Sequence, residues 1–366
     1  MDYKAEFAEK RRRILDYVDR KGLDGVLVSR IDNFAWATAG CANYIPVATD
    51  VGLASLLITP SKSVVITTNI EATRIRSEEP VAEVAEVRDH TWHDDDAKAK
   101  LMKELVSKNV AVDVPLGDRP LLEDDFVDLQ ARLTPREVEQ YKQLGHDASE
   151  AMEAACYAVE KGQREIDIAA RLRMEAQARD LTPTVCLIAA DERLKLHRHP
   201  LPTHNKVEKV VMLVLCARRR GLIASLTRLV HFGPIDDDLK ARHEAVTRVD
   251  AVANLATDPG IRIGSIFDAI VTAYGDTGFR GEENNHHQGG PTGYRGRYYT
   301  ATSRSAKVVE PNQAFAWNPS IAGTKSEDTI IAGETGPIEV TRPLTYPTID
   351  VTVEGQSMRR AAILEK

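Results

Sequence analysis

Thr134-Pro135-Arg136-Glu137 divides the 366 residues into two stretches with different patterns. A Thr at the N-cap, a Pro at the first helical position and a Glu at the third make a strong helix start. The segment before it, Asp113 to Leu133, carries Pro115, Gly117, Pro120 and a cluster of acids with no sustained periodicity. A boundary near residue 133 follows, giving domains of 1–133 and 134–366, as expected for a chain too long for one ordinary core.

The first stretch alternates in type. A helix from about Ala5 to Lys21 precedes apolar strands at Gly25-Val28, Val51-Ile58 and Ser63-Thr67, a helical Ile70-Ser77, and a strand at Val110-Asp113. Such alternation predicts an α/β domain with helices on a mostly parallel or mixed sheet. The acids of Trp92-His93-Asp94-Asp95-Asp96 read as a helix N-terminal turn and not as metal ligands.

The second stretch opens with two long amphipathic helices, about Pro135 to Lys161 and Arg164 to Arg179. Val207-Cys216 and Gly221-Phe232, joined by Arg218-Arg219-Arg220, read as an antiparallel hairpin. Helices follow at Asp236-Thr257 and Ile263-Gly275, then strands near Ala314-Asn318, Asp328-Ala332 and Ile338-Thr341. This is an α+β pattern without solenoid repeats.

Composition excludes several classes. No apolar run reaches the ~18 residues of a membrane helix, so no membrane partner is expected. The N-terminus lacks a separate apolar segment and a cleavage site, so a cytoplasmic location is expected. Cys41, Cys156, Cys186 and Cys216 lack metal-type spacing and read as free thiols. A net charge of -7 argues against nucleic acid, and Lys10-Arg11-Arg12-Arg13 reads as a solvated helix face.

The chemistry concentrates late in the chain. His286-His287-Gln288-Gly289-Gly290 is followed by Ala316-Trp317-Asn318-Pro319 and by Lys325-Ser326-Glu327-Asp328-Thr329. Together with Thr134 to Glu137, Gly221 to Thr227-Arg228, and Pro311 through Pro319, these motifs in this order resemble the creatinase and Xaa-Pro peptidase family. The resemblance spans nearly the whole chain. It implies a creatinase-type N-terminal domain, an α+β C-terminal domain with the pita-bread fold, a small-molecule substrate and a homodimer in which Asn43, Tyr44 or Arg74 reach a partner's pocket.

In metal-dependent members of that family, two Asp, one His and two Glu hold two divalent ions. Carried over, the Asp positions fall at Val214 and Ser225, the His at His287, and the Glu positions at Asn318 and Glu327. Only His287 and Glu327 remain good ligands, whereas a two-metal clamp needs bridging carboxylates. No dinuclear site and no cofactor are therefore expected; if an ion is kept, His287 and Glu327 hold it.

Creatinase, a metal-free member, hydrolyses a carbon–nitrogen bond, so the resemblance leaves acid-base chemistry open. His199, chosen over His197 on the loop where the family carries a catalytic His, joins His286 and His287 as candidate proton carriers, with Glu327 expected to orient an imidazole. Tyr294, Arg295, Arg297, Asn318 and Arg304 are expected to bind an anionic or zwitterionic substrate. Arg228 reads as a buried ion-pair partner, and His231 as a core-edge histidine. Three functions stay open: a metal-independent hydrolase, an Xaa-Pro-type peptidase with one ion on His287, Glu327 and Asn318, and a non-catalytic ligand-binding relative.

Overall fold

Asp2 starts the first helix, Tyr3–Lys21, by accepting from the Ala5 N–H, and Gly22 ends it at φ 63°. The computed structural model describes residues 1–366. Two compact units emerge: Met1–Gln130 with Thr134–Arg136, and Ala131–Leu133 with Glu137–Lys366.

In the first unit a five-stranded sheet runs in the order Glu86–His90, Ser63–Thr68, Val51–Ile58, Gly25–Arg30, Val110–Val112. Each edge strand lies parallel to its neighbour, and the central pairs are antiparallel. The alternating pattern thus yields the mixed sheet expected of it. Asp94 caps the helix Asp95–Leu105 by accepting from Ala97 N–H, which accounts for the acids after Trp92.

The basic run of the first helix is not a uniform solvated face. Lys10 is buried against Glu6 at 2.8 Å, and Arg11 donates to the Thr59 carbonyl at 2.9 Å. Burial of the ammonium is tolerated because its carboxylate, one turn back, is buried with it. Asn43 and Arg74 are also used within the unit. The Asn43 amide donates to the carbonyls of Ser29 and Ala54, and Arg74 is clasped by Glu71 and Glu79.

The second unit packs the helices Pro135–Ala158, Glu165–Gln177, Asp237–Leu255 and Ile263–Asp276 with two four-stranded sheets. One sheet has the order Ile363–Glu365, Leu222–His231, Val210–Arg219, Thr182–Ala190; the other, Gly336–Glu339, Asp328–Gly333, Ala314–Trp317, Gly289–Pro291. The predicted hairpin pairs Val214 with Thr227 and Cys216 with Ser225. Phe315, Trp317, Ile330 and Ala332 from the second sheet share a core with Val246, Val249, Ile266 and Ile270 of the helices.

A buried ion network ties this unit together. Arg360 lies 2.6 Å from Asp250 and 2.7 Å from Asp328, and Arg228 reaches the other Asp328 oxygen at 3.0 Å. Arg228 is therefore the structural partner expected, and Asp328 is an anchor in the interior. His231 is buried, with Nδ1 at 2.8 Å from the Gly233 carbonyl. All four cysteines are free, and no helix is long and apolar enough to cross a membrane.

Candidate active site

Sheet register assembles the site. The strand Ala314–Trp317 lies between Gly289–Pro291 and Asp328–Gly333, pairing Trp317 with Gly289 on one side and with Asp328 on the other. This places His286-His287, Asn318 and Glu327 at one end of three adjacent strands. Gly289 is required there: at φ 103° a Cβ would meet the Ala316 carbonyl oxygen at 2.2 Å and Asn318 Oδ1 at 2.7 Å. Just beyond, Ser320 pairs with Lys325 in a small hairpin.

The third histidine arrives on a separate loop held from below. Buried Glu165 accepts from the Ala190 and Thr203 N–H groups and the Thr203 hydroxyl, each at 2.8 Å, and pairs with Arg193. Asp191, at φ 53°, accepts from the N–H groups of Glu208, Lys209 and Val210. Arg198 pairs with Glu282 at 2.6 Å, tying the loop to the turn before His286.

His199, His286 and His287 present ring nitrogens that all lie within 4.8 Å of one another. His286 is buried, and the other two are exposed. Its Nε2 lies 3.1 Å from His199 Nε2 and 3.4 Å from Asn318 Nδ2, while its Nδ1 lies 3.2 Å from Ser320 Oγ. Since the amide NH2 can only donate, we assign His286 Nε2 as acceptor, Nδ1–H as donor to Ser320, and His199 Nε2–H as donor. The His287 ring makes no hydrogen bond within the protein, so both its nitrogens are free for water or substrate.

Glu327 is buried, and its carboxylate is fully engaged. Oε2 accepts from Lys325 Nζ at 2.6 Å and from the Thr227 hydroxyl at 2.7 Å, and Oε1 from Arg297 Nη2 at 3.3 Å. Burial alone would raise its pKa, but Lys325 and Arg297, with the hydrogen bonds from Lys325 and Thr227, hold it at about 2. The histidines shift downward as well. Desolvation, then Lys325 and the neighbouring rings, holds His286 at about 2. Desolvation, then Arg297, holds His287 at about 4. His199 is lowered by desolvation and Lys325. At neutral pH the site is three neutral imidazoles beside a carboxylate and two cations.

Glu327 hydrogen-bonds none of the histidines, so the orienting role expected of it passes to Ser320 and Asn318. His197 stays outside the cluster, whereas Arg297 joins it, donating to Asn318 Oδ1 at 3.1 Å. Tyr294 is buried with its hydroxyl on Glu137 at 2.8 Å, which makes it a packing residue. Arg295 is partly buried and contributes its carbonyl to Thr292 Oγ1 and Gly293 N. Arg304 is exposed and takes no part in the network. Ser320 was not singled out from the sequence, and Thr227 and Lys325 were read only as parts of motifs and not as partners of Glu327; the signal for Lys325 was a cation two residues from Glu327.

The donor set does not suit a pair of divalent ions. Val214 packs among Leu187, Leu194 and Met212. Ser225 turns its hydroxyl to Cys216 Sγ at 3.2 Å. Asn318 is neutral, and both oxygens of the sole carboxylate are taken by cations.

A family model described as metallopeptidase family M24 matches residues 139–338. No curated protein sequence matches the chain. Among solved structures, the chain is similar to the prolidase from Pyrococcus horikoshii OT3, at 18% identity and a TM-score of 0.77, covering 92% of this chain and 99% of that one. The Xaa-Pro dipeptidase from Bacillus anthracis is similar at 19% identity and a TM-score of 0.77, covering 98% and 100%. The N-terminal domain of FACT complex subunit SPT16 from Cicer arietinum matches at 12% identity and a TM-score of 0.70, covering 93% and 96%. At these identities the likenesses show the fold, an α/β first unit and a pita-bread second unit.

Proposed function

The chain belongs to metallopeptidase family M24, and from that premise we propose that it hydrolyses a carbon–nitrogen bond of a small anionic substrate by imidazole acid-base chemistry, without a metal ion. The carrying observation is the double capture of Glu327 by Lys325 and Arg297, beside a His287 ring left open.

In this reading His287, neutral at pH 7, takes a proton from water as the water oxygen bonds to the substrate carbon. The π electron pair of that carbon moves onto its heteroatom. As the heteroatom pair returns to re-form the double bond, the carbon–nitrogen bond breaks with its electron pair on nitrogen, and His287 returns the proton there. Arg297 and Lys325 against Glu327 leave one net positive charge, which matches a substrate with one carboxylate.

A panel of ureido, amidine, creatine-like and Xaa-Pro compounds tests the proposal. Turnover by protein freed of metal with chelator, lost in His287→Ala, supports it; turnover that appears only when a divalent ion is added overturns it. A second reading, a peptidase with one ion, is favoured by the three clustered imidazoles, a ligand set that zinc accepts. Stoichiometric metal in protein purified without chelator would establish that reading instead.

A further inference from the structure

We propose that Lys325 and Arg297 form an internal cation pair that takes the place of a divalent ion at Glu327, and that the Lys325 ammonium is what keeps metal out of the pocket. The inference rests on the metal-free reading and gives it a cause beyond the loss of ligands.

The geometry is specific. Lys325 is 5% exposed, and Glu327 is its ion-pair partner at 2.6 Å. The ammonium cannot easily swing aside. Its backbone is held in the two-residue strand paired with Ser320, the residue whose hydroxyl meets His286. Arg297 holds the other oxygen at 3.3 Å and is itself fixed to Asn318 at 3.1 Å. A metal ion approaching Glu327 must therefore displace a buried ammonium and leave it without a counter-charge, which a low-dielectric interior resists.

What surrounds the cations is nevertheless a usable ligand set. Three imidazoles have nitrogens within 4.8 Å of one another, and Glu327 stands beside Lys325 with an oxygen that the ammonium occupies. With Lys325 made neutral, the three imidazoles are neutral nitrogen donors of the type that binds zinc or cobalt in four-coordinate sites, and Glu327, freed of the ammonium, supplies negative charge near them. The family positions at Val214, Ser225 and Asn318 are not needed for this. Lys325 is thus the residue whose charge decides between an empty pocket and a loaded one.

The test uses Co2+ alone, followed by its visible absorption and by calorimetric titration of the full-length protein. Wild type and Lys325→Arg are expected to take up no stoichiometric Co2+, and Lys325→Met to bind one equivalent. Adding His287→Ala to Lys325→Met is expected to abolish the binding and the spectrum. Failure of Lys325→Met to bind, with wild type also silent, overturns the cation-pair proposal and leaves the metal-free reading intact. Stoichiometric, His287-dependent binding by wild type overturns both. Should Lys325→Met not fold, Lys325→Gln, which keeps a donor for Glu327, takes its place under the same two outcomes.

Discussion

His199 Nε2 and His286 Nε2 stand 3.1 Å apart, so one ring must donate to the other. Because Asn318 Nδ2 also faces His286 Nε2, at 3.4 Å, the buried ring is the acceptor, and its Nδ1–H turns to Ser320. Two neutral imidazoles are thereby locked in defined tautomers beside a third, His287, whose ring packs against both but has no hydrogen-bond partner in the protein. The cluster separates rings held by hydrogen bonds from a ring whose nitrogens are open, the one to which the proposed reaction assigns the proton.

That division predicts the pH profile of turnover. His287 must be neutral to accept a proton, and its folded pKa is held down to about 4 by desolvation and Arg297. The rate should rise as pH increases through about 4 and be level at neutrality. His287→Ala should lower kcat by about 10²–10⁴-fold, measured with substrate at saturation. Undiminished turnover in the variant would move the base to another residue.

Glu165 holds the His199 loop at Ala190, Arg193 and Thr203. Glu165→Gln keeps the shape but removes the charge from a buried site, and should cost about 2–4 kcal/mol of stability. Hydrogen exchange at residues 191–203 should quicken, and kcat should fall more than the change in KM accounts for. An unchanged exchange pattern would mean that the clamp does not position His199.

Acid should destabilise the fold through His243. This ring is buried between the Thr324 hydroxyl at 2.8 Å and the Ala361 carbonyl at 3.0 Å, and desolvation lowers its pKa from 6.5 to about 4. The folded state favours the neutral ring, so the stabilisation is complete above about pH 6.5 and is lost as pH falls from there to about 4. The loss amounts to about 3 kcal/mol over that window. Urea midpoints measured from pH 7.5 to 4.5 should fall for wild type and fall less for His243→Gln.

Arg360 is fully buried between Asp250 and Asp328. Arg360→Met should cost about 3–5 kcal/mol, because buried Asp250 then loses its cation and Asp328 keeps only Arg228. Adding Asp250→Asn should recover part of the loss, and urea unfolding of both variants reads the difference. Additive losses would show that the network is not coupled.

Much of the fold was readable because periodicity and caps are local. Thr134-Pro135-Arg136-Glu137 starts a helix, with Pro135–Ala158 observed, and the hairpin around Arg218-Arg219-Arg220 pairs as its two apolar runs imply. The strand Thr182–Ala190 and the C-terminal hairpin Thr348–Val353 with Gln356–Ala361 were not resolved in the same way. Pro183 interrupts the first, and the second exposes enough polar positions to lose a clear apolar face. Tyr294 and Arg304 were drawn toward the pocket by their nearness in sequence to His287, but Tyr294 turns to Glu137 and Arg304 to solvent.

The sequence by itself determined that Val214, Ser225 and Asn318 carry no charge whatever the fold does, and it singled out His199, His286, His287 and Glu327 as candidates for chemistry. Only the tertiary structure decided how they pair. Whether Glu327 faces a histidine or two cations depends on strand register and on the Ser320–Lys325 hairpin, contacts among segments far apart in the chain. Electrostatic energy falls with distance in space and not along the sequence; for that reason the captured carboxylate and the open imidazole became visible only when the strands were assembled.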